Sequence, residues 1–312
     1  MQHTAGILKA AKRLTLNALQ ASGVYQLVNH SSWRRRRLLI LRYRGISIED
    51  EHEWRPNLFM PRPDFERRME MLQRGRYNVL PLEEAVSRLY SGTLPERSVA
   101  ITFDDGNYDF YAQAFPLLRE HGYPATVYLH SFYCVNQAPV FRLILSYLLW
   151  KERGRVLSTQ ALTGSELALD LRTAAGRNRA QSALMKFEVA EVSAAGMDIQ
   201  LHTHSHNSPR EEARYRKQIS TNREVIESIV GRRPVHFCYP SGNHQEEFLP
   251  WLALEGIQSA TTCRTGIADR SSNPLLLPRV VDHSGLSALE FDGWLTGAAA
   301  LLPHRTYVSR DA

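Results

Sequence analysis

Short apolar runs alternate with amphipathic stretches along most of this chain, and their order predicts its architecture. Leu38-Leu39-Ile40-Leu41 reads as a buried strand, and Pro63-Asp64-Phe65 opens a helix whose Phe65, Met69 and Leu72 recur at helical spacing. Ser98-Val99-Ala100-Ile101-Thr102-Phe103 forms the next strand. A loop at Asp104-Asp105-Gly106 leads into a helix holding Ala114, Leu117 and Leu118, with Gly122 as its left-handed cap. Further strands are predicted at 125–129, 196–201, 235–239 and 259–262. Strands alternating with helices favour an α/β layout with parallel neighbours, in which chemistry gathers at the carboxyl ends of the strands.

The alternation breaks between about residues 136 and 186, where an apolar helix-like stretch (141–150) precedes a polar, Gly-containing tract (154–178). This segment reads as an insertion on the catalytic domain. The resulting division is a basic N-terminal extension (1–37), a catalytic domain (38–290) and a C-terminal tail (291–312).

Composition narrows the class. An apolar share of 43% with 22% charged residues excludes wholesale disorder for a chain of 312 residues. Cys134, Cys238 and Cys263 are too scattered for a disulfide framework, which points to a reducing compartment. The first residues lack the apolar run of a secretory signal, and no stretch approaches the roughly 20 apolar residues of a membrane span, so a cytoplasmic protein is expected. The net charge of +6 is concentrated early, in Lys9, Lys12, Arg13 and Arg34-Arg35-Arg36-Arg37. That run reads as a solvated face leading into the first strand, or as a contact with the inner membrane surface. No nucleic-acid motif accompanies it, so no nucleic-acid partner is expected.

Three strand ends carry chemistry. Asp104 and Asp105 repel each other unless one binds a cation, which leaves the other as a free base; a helix N-cap is the plainer reading of the pair. His202-Thr203-His204-Ser205-His206 supplies imidazoles four residues apart, as zinc ligation needs, with His204 pointing elsewhere; the alternative is a solvated loop. Two histidines and one carboxylate leave coordination positions open for water and substrate. At Tyr239-Pro240-Ser241-Gly242 the backbone has the makings of an oxyanion site or of an ordinary turn.

The order and form of these segments resemble carbohydrate esterase family 4, the polysaccharide deacetylases that include the nodulation-type chitooligosaccharide deacetylases. The resemblance covers roughly residues 38–283 and implies a distorted (β/α) barrel. Thr102-Phe103-Asp104-Asp105-Gly106 matches the family's first motif, making Asp104 the base and Asp105 a metal ligand. His202, Thr203 and His206 match the second, with both histidines as ligands and Thr203 as a buttress. Tyr239 then offers its backbone amide to the oxyanion and Pro240 helps form the groove wall. Cys238 stands where the family's groove-wall arginine is usual, and Arg279 is the candidate to fill that space. His283 is the leading candidate for the general acid and His130 the second. Tyr43-Arg44 replaces the Tyr-His of many relatives.

The resemblance implies removal of acetyl groups from N-acetylated sugars of a glycan or glycan precursor, with a divalent metal, zinc foremost, as cofactor. A hydrolase of another small amide, and a catalytically silent glycan-binding module, stand as the alternatives.

Overall fold

The computed structural model describes residues 2–137, 143, 146–147, 150 and 182–303, with side chains of the first helix from Lys12 onward. Ten strands are described: β1 (Leu39–Tyr43), β2 (Gly45–Ser47), β3 (Phe59–Pro61), β4 (Asn78–Val79), β5 (Ser98–Asp105), β6 (Thr126–Leu129), β7 (Asp198–Leu201), β8 (His236–Cys238), β9 (Ser259–Thr261) and β10 (Val280–Val281). Eight of them form one parallel sheet in the order β10-β1-β5-β6-β7-β8-β9, with β4 on the first residues of β5. The remaining pair, β2 and β3, forms a small separate sheet.

The segment from Leu277 to Val281 closes the ring. Leu277 bridges to Thr261 of β9 and donates to the Ala260 carbonyl at 2.9 Å, while Val280 and Val281 pair with Leu41 and Arg42 of β1. The architecture is a distorted (β/α) barrel, as the family resemblance implies, built on the parallel α/β layout expected from the strand and helix order.

Strands β1, β5, β6 and β7 are buried along their whole length, which explains their nearly continuous apolar runs. The two-residue period of a strand sorts these residues between two faces. Leu38, Ile40, Ala100, Tyr128, Cys238 and Leu277 form an inner cluster, against which α6 (Leu82–Ser91) packs Leu82, Ala85, Val86 and Leu89. Leu39, Leu41, Ile101, Phe103, Val127 and Ile199 join the larger cluster with the surrounding helices. Among those helices, α5 (Arg62–Arg74) buries Phe65, Met69 and Leu72 as its spacing predicts. Helix α7 (Phe115–Glu120) ends just before Gly122, whose φ of 67° fits the predicted left-handed cap.

The other helices, in chain order, are α1 (Gln2–Ala21), α2 (Val24–Asn29), α3 (Ser32–Arg35), α4 (Glu51–Trp54), α8 (Ser131–Asn136), α9 (Lys186–Ala194), α10 (Glu212–Val230), α11 (Phe248–Leu254) and α12 (Ala288–Thr296). The boundary drawn at residue 290 falls inside α12, whose Phe291, Trp294 and Leu295 are core residues. Most of the expected insertion, including the whole tract 154–178, lies outside the described residues.

The arginine run divides between interior and surface: Arg34 is buried, Arg37 half-buried, and Arg35 and Arg36 exposed. Arg34 is fully buried and donates to the carbonyls of Leu295, Arg37 and Ser98. Arg35 pairs with Glu96 at 3.3 Å and Arg37 with Asp269 at 2.8 Å. Among the described residues no helix is long and apolar enough to cross a membrane. Cys134, Cys238 and Cys263 are buried free thiols.

Candidate active site

At their carboxyl ends the strands exchange apolar residues for charged ones, and these converge. Arg42 lies near the end of β1 and Arg44 just follows it, Asp104 and Asp105 end β5, His130 follows β6, His202 follows β7, and Tyr239 follows β8. A buried charge is tolerated only when paired, and here every carboxylate has a specific partner.

Asp104 is 3% exposed and clamped by two arginines. Arg279 donates Nη1 to Oδ1 at 2.7 Å and Nη2 to Oδ2 at 2.9 Å, a bidentate fork, and Arg42 adds Nε to Oδ2 at 2.6 Å. Burial alone would raise its pKa, but the Arg279 and Arg42 guanidiniums hold the carboxyl well below the usual range. The two arginines thus favour the ionised form of Asp104 near neutral pH.

Asp105 takes the opposite side. Its Oδ1 lies 3.1 Å from Nε2 of His202 and 3.3 Å from Nε2 of His206, while Oδ2 accepts from Nε of Arg44. Ligand atoms from these three residues lie within 4.8 Å of one another, a grouping that suits a metal ion. The hydrogen bonding supports that fit. Nδ1 of His202 is 2.8 Å from the Cys238 carbonyl, which can only accept, so Nδ1 carries the proton in the neutral ring. Burial alone would lower the ring's pKa, but its contacts with Cys238 and Asp105 raise it well above the usual imidazole range, so Nε2 shares a proton with Oδ1 of Asp105. A metal cation would take that proton's place, and a carbonyl behind the ring is the usual support of a ligating histidine.

The loops that aim these groups are strained. Asp105, Thr203, His206 and Ser241 have φ values of 75°, 61°, 56° and 55°, four of seven non-glycine residues in the left-handed region among those described. Such residues cost about 1–3 kcal/mol each and gather where function requires them. Gly106, at φ 66°, sits so close to Leu129 that a Cβ would come within 2.5 Å of its side chain. Thr203 accepts from the Asn207 amide at 3.1 Å and so braces the turn between the two histidines. His204 does point away, meeting Ser131 Oγ at 2.9 Å and packing edge-on against Phe132.

Two expected roles change. Arg279 fills the space beside Cys238, 3.1 Å from its sulfur, yet it is fully buried and its donors go to Asp104, Thr102 and Thr262. It positions Asp104 and has no surface to offer a substrate. The Tyr239 amide donates to the Thr261 carbonyl at 3.3 Å, and its hydroxyl donates to the Leu275 carbonyl, so the amide is engaged within the barrel. Pro240 is buried and shapes the turn through Gly242, which packs against Cys263.

Of the two acid candidates, His130 is 2% exposed, its ring centroid 5.9 Å from that of His206. Burial pushes it down to about 3, against a smaller upward pull from Asp105. His283 follows β10 and is partly exposed, its Nδ1 accepting from the Gly285 amide at 3.0 Å.

Sequence reasoning passed over Arg42 as a partner of Asp104 and passed over Asn222 entirely. Arg42 and Arg44 had a signal, since charged residues at alternate positions closing an apolar strand demand partners. Asn222, in the middle of α10, had none. Fully buried, it accepts from the His202 amide and donates to Leu129 O and Ser131 Oγ, each at 2.9 Å, tying the ends of β6 and β7 together.

Comparison with known proteins bears on the family and the fold. The family model described as polysaccharide deacetylase matches residues 91–260. The protein YxkH of Bacillus subtilis (strain 168) is 23% identical over 265 residues, covering 83% of this chain and 76% of its own. Among solved structures, the Streptococcus pyogenes deacetylase PplD in complex with acetate superposes with a TM-score of 0.64 at 20% identity, covering 86% of this chain and 99% of that one. IcaB from Ammonifex degensii gives 0.61 at 17% identity, covering 83% and 97%. At these identities the structural likeness establishes the fold.

Proposed function

This chain belongs to the polysaccharide deacetylase family, and on that premise we propose that it hydrolyses the acetamido group of N-acetylated sugars in a glycan or glycan precursor, releasing acetate and a free amine. The observation that carries the reading is the division of two adjacent carboxylates: Asp105 turned to His202 and His206, Asp104 held apart by Arg279 and Arg42. A pure binder has no need of that second, ionised carboxylate. PplD, which shares the fold, is described in complex with acetate, the product such a reaction releases.

Asp105, His202 and His206 would hold a divalent ion, with zinc suited to a set of two nitrogens and one oxygen. Such an ion, when bound, polarises an amide carbonyl and acidifies water. Asp104 accepts the proton of the attacking water. Its arginine partners lower its proton affinity, so it serves as a base only toward water already made acidic, and in return it is never lost to protonation near neutral pH. Arg279 and Arg42 fix its direction. His283, partly exposed, is the leading candidate to protonate the departing amine, with His130, kept neutral by burial, as the second.

An acetate-release assay on N-acetylated glucosamine oligomers, with formylated sugars in parallel, tests the reaction. Acetate from the wild type and none from Asp104→Asn, with metal content equal in both, is the expected result. Formate release in place of acetate, or full activity of Asp104→Asn, would overturn it.

A further inference from the structure

Arg44 stands two residues beyond Arg42, between the end of β1 and the start of β2, and its Nε donates to Oδ2 of Asp105. The other oxygen, Oδ1, faces Nε2 of His202 and of His206. The two oxygens of one carboxylate are thus divided, one turned to the imidazoles and one capped by a guanidinium. The pair is sheltered, with side chains 16% and 5% exposed, so solvent and salt screen it little. Asp104 does not compete for Arg44, because Arg42 and Arg279 already occupy it. Asp109, which also feels Arg44, is pushed well above the usual carboxylate range by burial and by Glu51, so it competes weakly for that charge.

We propose that Arg44 is a positioning residue that restricts Asp105 to single-oxygen ligation and, through its fixed positive charge, weakens the grip of the site on its metal ion. The inference rests on the reading of Asp105, His202 and His206 as the metal site. A carboxylate already neutralised by a guanidinium donates less charge to an ion, and a neighbouring cation repels it. An ion held this way keeps more of its own charge for polarising a substrate carbonyl.

The test is zinc affinity, measured by competition with a chromogenic chelator at fixed pH and independent of turnover. Arg44→Gln retains a donor for Oδ2 and removes the charge, and with that repulsion gone is expected to bind zinc about 10-fold tighter or more, whereas Arg44→Lys keeps the charge and stays within about 3-fold of the wild type. Equal or weaker binding by Arg44→Gln would overturn the proposal, as would equal tightening in Arg44→Lys. His206→Ala, measured alongside, separates the two layers. Loss of zinc there with no change in Arg44→Gln defeats only the role of Arg44, while zinc retained at wild-type affinity in His206→Ala defeats the metal site itself.

Discussion

Replacing Arg279 with methionine removes the guanidinium and keeps most of the side-chain volume. The residue is fully buried, and its loss deletes two hydrogen bonds to Asp104, at 2.7 and 2.9 Å, together with those to Thr102 Oγ1 at 3.1 Å and the Thr262 carbonyl at 2.8 Å. Removing one partner of a buried ion pair costs about 3–5 kcal/mol. Arg42 remains on Oδ2, which places the expected loss near the lower end, about 3 kcal/mol, or at least about 5 °C in Tm. The pH dependence carries a second signature. Asp104 is depressed in the folded protein, so the stability it confers is fully present above the ordinary carboxylate pKa of about 4 and is lost as pH falls below it. The gap between wild type and Arg279→Met should therefore be wide at neutral pH, begin to narrow below about pH 4, and go on narrowing as the pH falls toward the depressed folded-state value. Urea unfolding at a series of pH values, with the acid limb of acetate release measured in parallel, checks both. A variant with an unchanged Tm, or a gap that widens on acidification, would show that Arg279 does not hold Asp104 as described.

Other perturbations have definite outcomes. Gly106→Ala introduces a methyl group within 2.5 Å of Leu129 at a φ of 66°, and should lower Tm and reduce zinc binding through Asp105, read by melting and metal analysis. Asn222→Ala strands the His202 amide and the Leu129 carbonyl in a dry interior, costing about 1–3 kcal/mol for each group left unsatisfied, which denaturant unfolding measures. His283→Ala should reduce kcat for N-acetylated oligomers and leave zinc content unchanged; in steady-state assays an unaltered kcat would remove His283 from the role of acid.

Much of the barrel was legible because parallel strands buried on both faces must be apolar along their length. The predicted strand ends fell short at Leu41 and Phe103, where the apolar runs stop. The structure carries β1 on to Tyr43 and β5 on to Asp105, because Arg42 and Asp104 neutralise each other across the sheet. A charge ends a strand in a sequence only when its partner, 62 residues away, is out of view. The closing segment and β10 were equally hidden, since two or three residues carry no period to read. At the site, the carboxylate pair and the spaced histidines were legible because few structural roles need them in that form. Arg279 was placed in the correct space and given the wrong task, for a sequence shows that an arginine must find a partner and not whether the partner is a protein carboxylate or a substrate.

The central claim is that Asp105, His202 and His206 hold an ion on which Asp104-assisted deacetylation depends. Acetate release from N-acetylated glucosamine oligomers, followed on one sample before chelation, after chelation and after a divalent ion is restored, tests it most directly. The account predicts acetate in the first and third states and none in the second. Release that continues undiminished after chelation would contradict it.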